Sequence, residues 1–334
     1  MATYFLNSAI LHIFDFISDN TVLSQQSLNL EDTLIESYVN KQITKIMSDT
    51  RCKEGYFQEE SQFLSLLKTY QRKDINFVDL SLNISNRLEG YLKNAEIKTY
   101  DVLFMDYSYE EVPYIAFVLL ENQSAYTHFT KQENGIVSNT ITQQHSLLPS
   151  VTKKASTFVF VNLINMNVSF VDKTDWGTKN IAVIQEMILD CTCEKSKEEV
   201  FKEVNEVVKE VAVKTDTNPT LLLSKYKNYM KESIEEETPI TTEDLAMNVF
   251  NETDEMQDAF ISTSLEHEIP KKVEVPKQYV TTKLKNQKIK TDTGIELSFP
   301  TEYSENSHFI EFRKKDDGTI TIEIKNVAKI TNKQ

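Results

Sequence analysis

Two apolar runs of strand length, YDVLFMDY at 100–107 and PYIAFVLLEN at 113–122, stand on either side of the polar turn SYEEV. Runs this short, rich in Val, Ile, Phe and Tyr and bounded by turn residues, read as strands, and two of them so closely spaced form an antiparallel hairpin. Because both runs are apolar nearly throughout, the hairpin belongs at the centre of a sheet.

The neighbouring segments supply the rest of such a fold. YFLNSAILHIFDF near the start alternates loosely and reads as a strand. LEDTLIESYVNKQITKIM has a helical period that puts Leu34, Ile35, Tyr38, Val39, Ile43, Ile46 and Met47 on one face. INFVDLSLNISNRLEGYL reads as a second helix ending near Gly90, and TFVFVNLINMNVSFVD as one or two further strands. Residues 1–175 are therefore expected to form a mixed α+β domain on a largely antiparallel sheet.

From Gly177 to Gly294 the chain contains no glycine, and most of this gap is helical in pattern. Ser196 and Glu199 have the spacing of a reciprocal capping box ahead of KEEVFKEVNEVVKEVA, whose buried stripe is Phe201, Val204, Val208 and Val211. LLLSKYKNYMKES, TTEDLAMNVF and DEMQDAFISTSLE are further helices, with breaks near Pro219 and Pro239. Beyond Pro270 and Pro276 the pattern turns to strands. Asp-Thr-Gly within KIKTDTGIELSF and Asp-Asp-Gly within FIEFRKKDDGTITIEIK predict two β-hairpins. The expected organisation is a mixed domain at 1–175, an acidic helical region at 176–268 and a basic C-terminal β-hairpin region at 269–334.

Composition supports a globular, intracellular protein. Of 334 residues, 40% are hydrophobic and 10% aromatic, enough to build cores. Three cysteines make a disulfide framework unexpected and fit a reducing compartment. The N-terminus lacks the basic region and small-residue cleavage site of a secretory signal, and no apolar run reaches the roughly 18–20 residues of a membrane span. The expected location is the cytoplasm, with no membrane partner.

Formal net charge is −15, but it is unevenly spread. Residues 194–268 carry 19 acids against 8 bases, whereas residues 269–334 carry 9 against 13. The excess is concentrated in KKVEVPKQYVTTKLKNQKIK, where Lys271, Lys272, Lys277, Lys283, Lys285, Lys288 and Lys290 are opposed only by Glu274. A local cationic surface on an acidic chain is where an anionic partner such as DNA would be held. On a strand, Lys283 and Lys285 project to one face and Lys288 and Lys290 to the other unless a bulge intervenes. The same lysines also read as a guard on an exposed sheet edge.

Other chemistries find little support. The six glycines are too far apart to make a P-loop or a dinucleotide fingerprint. Cys191 and Cys193 form a C-x-C pair, but neither the four ligands of a zinc site nor a redox C-x-x-C is present, and the two read as small core residues. No metal or cofactor is expected. Motifs of zinc proteases, serine hydrolases and zinc deaminases are missing, and pairs such as Glu59-Glu60 are what 51 acids supply by chance. A nuclease assembled from dispersed carboxylates remains the rival enzymatic reading. Arg313, Lys314 and Lys315 precede a turn and read as solvent-exposed, while Phe104, Phe117, Phe158 and Phe160 read as core. Glu235, Glu236 and Glu237 are the densest acids of a helical surface that could dock a basic partner.

AILHIFD, GYFQEESQFL at 55–64, YDVLFMDYSYEEVPYIAFVLLEN, TGIELSFP and DGTITIEIKN occur in an order and spacing that resemble the bacterial nucleoid-associated protein NdpA family across almost the whole chain. The resemblance implies a cytoplasmic protein associated with the nucleoid and DNA, without catalytic activity. It carries no residue-by-residue contact motif. The function expected is DNA binding by backbone electrostatics and shape. The alternative is an acidic adaptor brought to the nucleoid by a protein partner such as a DNA topology enzyme. Self-association is compatible with both.

Overall fold

The computed structural model describes residues 4–178, 181–274, 284–304, 308–315 and 319–331. The chain divides into two compact units, Met1–Lys195 and Ser196–Gln334.

The first unit is built on an eight-stranded sheet. Its strands are β1 (Tyr4–Asp15), β2 (Asn20–Val22), β3 (Lys53–Phe57), β4 (Thr99–Tyr109), β5 (Val112–Glu121), β8 (Thr157–Asn162), β9 (Asn167–Asp172) and β10 (Cys191–Cys193). The spatial order is β10-β3-β9-β8-β5-β4-β1-β2, with every pairing antiparallel. The hairpin expected from the two apolar runs is β4–β5, in unbroken register from Tyr109↔Val112 to Tyr100↔Glu121, and it lies inside the sheet.

Both faces of that hairpin are covered, which is why its sequence hardly alternates. Helices α2 (Gln62–Gln71) and α3 (Phe77–Leu92) lie on one face, where Phe63, Leu67, Leu80, Ile84 and Leu88 meet Ile10, Phe14, Val102, Phe104 and Phe117. Helix α1 (Thr33–Met47) covers the other, packing Val39, Ile43 and Ile46 against Leu103, Met105, Val118 and Phe158. Leu34, expected on the buried face of α1, is instead 81% exposed in its first turn. Val183–Leu189, within the stretch expected to be helical, forms a π-helical turn, whereas Cys191 begins the edge strand β10, which the sequence expectation did not contain.

His12 is pinned inside the first unit. Ser24 N donates to its Nδ1 at 2.9 Å, so Nε2 carries the proton and donates to Ser81 Oγ at 2.9 Å. Burial holds the imidazole neutral and lowers its pKa to about 4.

A second hairpin, β6 (Gln123–Glu133) with β7 (Ile136–Leu147), forms a separate two-stranded ribbon. The sequence expectation contained no element there, although its turn was legible. Asn134 and Gly135 both have positive φ, 51° and 79°, as an Asn-Gly two-residue turn requires.

The second unit opens with α4 (Lys197–Lys214), α5 (Pro219–Glu235), α6 (Thr242–Val249) and α7 (Asp254–Glu266). The Ser196–Glu199 capping box starts α4, and Thr241 with Asp244 makes another at α6. Pro219 occupies the first turn of α5, where its missing N–H costs nothing. The core joins Val204, Val208 and Val211 to Tyr226, Met230, Leu245, Phe250 and Phe260. The hairpins β11 (Asn286–Lys290) with β12 (Glu296–Pro300) and β13 (Ile310–Lys314) with β14 (Ile320–Ile324) follow, as expected. The whole is an α+β protein with a large antiparallel sheet and C-terminal β-hairpins.

Candidate nucleic-acid interface

Val273 and Leu284 anchor the described ends of the lysine-rich segment in the core of the second unit. Lys271 and Lys272 lie on an extended stretch held to the start of α6, where Thr242 N donates to Lys271 O at 2.9 Å and Val273 N to Ile240 O at 2.9 Å. After Leu284, the β11–β12 hairpin carries Lys288 and Lys290. Lys277 and Lys283 lie outside the described residues.

Strand alternation sorts β11 into two faces. Gln287 is buried, and its side-chain oxygen accepts from Lys227 Nζ of α5 at 2.8 Å. Ile289 is half-buried on the same side, so Asn286, Lys288 and Lys290 share the exposed face. Across the hairpin Lys288 stands opposite Ser298 and Lys290 opposite Glu296. A shallow depression of about 560 Å³ is lined by Lys288, Ile289, Lys290, Glu296, Leu297 and Ser298. Lys285 precedes the strand and is exposed as well.

The seven lysines are not electrostatically equivalent. Lys272 Nζ sits 2.9 Å from Glu274, which also holds Lys197 at 2.9 Å. Bonds from Lys272 and Lys197 push the Glu274 carboxyl down to about 2, so the segment's one acid stays ionised and spends its charge on Lys272. Lys290 pairs with Glu296 at 3.1 Å, but both side chains are about 70% exposed, and such a pair is readily exchanged for another anion. Among the described residues, Lys271, Lys285 and Lys288 make no side-chain ion pair.

The neighbouring clusters are differently arranged. Arg313 binds Glu311 at 2.7 Å and lies 3.4 Å from Glu323, while Lys325 bonds Glu311 from the other side. Arg313 and Lys325 together bring the Glu311 carboxyl down to about 2, and the cation of Arg313 is internally compensated. On α4, Glu198 pairs with Lys202, Glu206 with Lys209, and Glu210 with Lys214.

In the first unit a depression of about 230 Å³ is bordered by Arg51, Lys53, Lys173 and Asp172. Two of these charged groups serve the fold: Arg51 is bound by Asp49 at 2.6 Å, and Asp172 accepts from Trp176 Nε1 at 2.7 Å and Ile184 N at 3.0 Å. Cys191 is buried, which pushes its thiol up to about 12 and makes it a poor metal ligand or nucleophile. Among the described residues no group of three or more His, Cys, Asp or Glu side chains is placed to hold a metal ion, and no helix is long and apolar enough to cross a membrane.

Fold and surface together define an acidic α+β protein with a cationic strand face set into its C-terminal hairpins. The family model described as nucleoid-associated protein YejK matches residues 10–331, and the chain belongs to this family, also called NdpA. Membership associates it with the nucleoid. A search of curated proteins returned no match.

Proposed function

We propose that this nucleoid-associated protein binds DNA directly, without catalysis, through lysines of residues 269–334. Lys271, Lys272, Lys277, Lys283, Lys285, Lys288 and Lys290 form the candidate site, with Lys285, Lys288 and Lys290 as its centre. The observation that carries this reading is the common exposed face of Lys288 and Lys290 on a strand whose other side is fixed by Gln287. Two cations two residues apart on one strand face stand roughly 7 Å apart, matching the spacing of successive phosphates on a DNA strand to within a side-chain rotation. Contacts of this type position a protein on the phosphate backbone and carry no base information. The acidic helical region, net −11 over residues 194–268, would be repelled by the same phosphates, orienting the protein with its hairpins toward DNA.

The test is a salt-titrated DNA-binding measurement on the full chain and on Lys285→Glu/Lys288→Glu/Lys290→Glu. Direct binding requires an affinity that falls steeply with salt and is largely lost in the triple variant. Undiminished affinity in that variant would reject this site. Weak binding of naked DNA, together with a protein partner that stays bound after nuclease treatment, would favour the adaptor reading.

A further inference from the structure

The β6–β7 ribbon is the part of the molecule least explained by DNA binding. Its strands are 11 and 12 residues long, and every side chain is exposed apart from partly covered Leu147. Neither strand contributes a residue to a core. An isolated two-stranded hairpin is at best marginally stable in water, so a ribbon this long is expected to gain its stability from something laid against it.

The register sorts its side chains. Tyr126, His128, Thr130 and Gln132 lie opposite Gln143, Ile141, Asn139 and Val137, and these eight share one face. That face contains no Asp, Glu, Lys or Arg, yet Tyr126, Ile141 and Val137 are 75%, 76% and 61% exposed on it. The edges differ too. β6 carries Lys131 and Glu133, whereas β7, IVSNTITQQHSL, has no charged residue and no proline. An exposed strand edge is normally guarded by charge, proline or a bulge; β7 has no charge and no proline, and its one register shift lies at the far end, between Gln144 and Leu147, which leaves Ile136–Gln144 in continuous register.

The geometry points to a second copy of this chain as the occupant: β7 of one protomer pairs antiparallel with β7 of its partner, merging the two ribbons into a four-stranded sheet about a two-fold axis. Charge selects this partner. Two copies of a chain with net charge −15 repel one another over most of their surfaces, while the ribbon, with one lysine balanced by one glutamate, is a neutral zone where they can meet. An uncharged strand paired with itself puts no like charges opposite each other. Phosphates would find a single lysine there. An antiparallel pairing over the nine continuous residues Ile136–Gln144 supplies on the order of ten main-chain hydrogen bonds, the number found in an ordinary stable interface. Pairing through one edge only makes the assembly close at two copies.

Sedimentation velocity and light scattering on the full chain over a range of micromolar concentrations test this directly. A dimer is expected, persisting at high salt because no ion pair holds it. Val137→Lys/Ile141→Lys should convert it to a monomer. So should a variant in which residues 123–147 are replaced by a short Gly-Asn-Gly link; since the ribbon contributes nothing to a core, this variant should still fold and melt cooperatively. A wild-type monomer at every concentration, a mass that grows beyond two copies, or a dimer that survives excision of the ribbon would each overturn the proposal.

Discussion

Lys227 on α5 donates to the side-chain oxygen of Gln287 on β11 at 2.8 Å, and this bond fixes which face of β11 turns outward. With Gln287 held inward, alternation presents Lys288 and Lys290 to solvent. Burial lowers the pKa of Lys227, so its ammonium depends on the acceptor that Gln287 provides. Replacing Gln287 with Ala is expected to destabilise the second unit by about 1–3 kcal/mol, because a partly buried cation loses its partner. Thermal melts read the loss, and hydrogen exchange in β11 should accelerate alongside it.

Charge removal at the lysine face has a quantitative signature. If Lys288 and Lys290 each neutralise one phosphate, the double replacement by Ala lowers the slope of log affinity against log salt by about 1.8. The shift should be the same on DNA of unrelated sequences, because backbone contacts do not read bases. Fluorescence anisotropy at several salt concentrations measures both.

Tyr226 offers a stabilising change. Its hydroxyl is fully buried in the helical core and has no hydrogen-bond partner among the described residues. Tyr226→Phe removes the unsatisfied group and keeps the ring that packs near Phe201, with centroids 6.1 Å apart. A gain of about 1 kcal/mol is expected in chemical denaturation.

Much of the second unit was legible because its helices announce their own ends. Ser196, Asn218, Thr241 and Thr253 each accept a bond from the first turn they cap. The β4–β5 hairpin was legible from apolar content alone. The sheet order was not, since β3 reaches β9 and β10 across more than a hundred residues and is only five residues long. Local pattern carries no record of such partners. Gly55 is the one trace: a Cβ there would come within 2.6 Å of Thr192 O, so only glycine lets β10 approach. The lysine cluster was visible as composition, but the differing status of Lys272, bound by Glu274, and Lys288, opposite Ser298, required the register.

Gly55→Ala accordingly tests the edge of the sheet. The new methyl group must push β10 away from β3, and a loss of about 1–3 kcal/mol in the first unit is expected from this overpacking. Exchange of the Cys191–Cys193 amides should respond before the melting temperature does.

His12 makes the first unit sensitive to acid. Its pKa is about 4 in the fold and ordinarily about 6.5, so between these values the unfolded chain binds more protons than the folded one. The contribution of neutral His12 is complete above pH 6.5 and is lost progressively as pH falls toward 4. Melting temperature should decline across this window, and His12→Gln should flatten the decline while lowering the plateau at neutral pH.

Strands β4 and β5 are shared by the layers on both faces of the sheet, with Phe104 and Phe117 on one side and Leu103 and Val118 on the other. Neither layer can open without disturbing the strands against which the other packs. The two layers therefore melt as one cooperative foldon, and the amide protons of this central pair will leave only when the entire unit does, making them internal gauges of its global unfolding free energy.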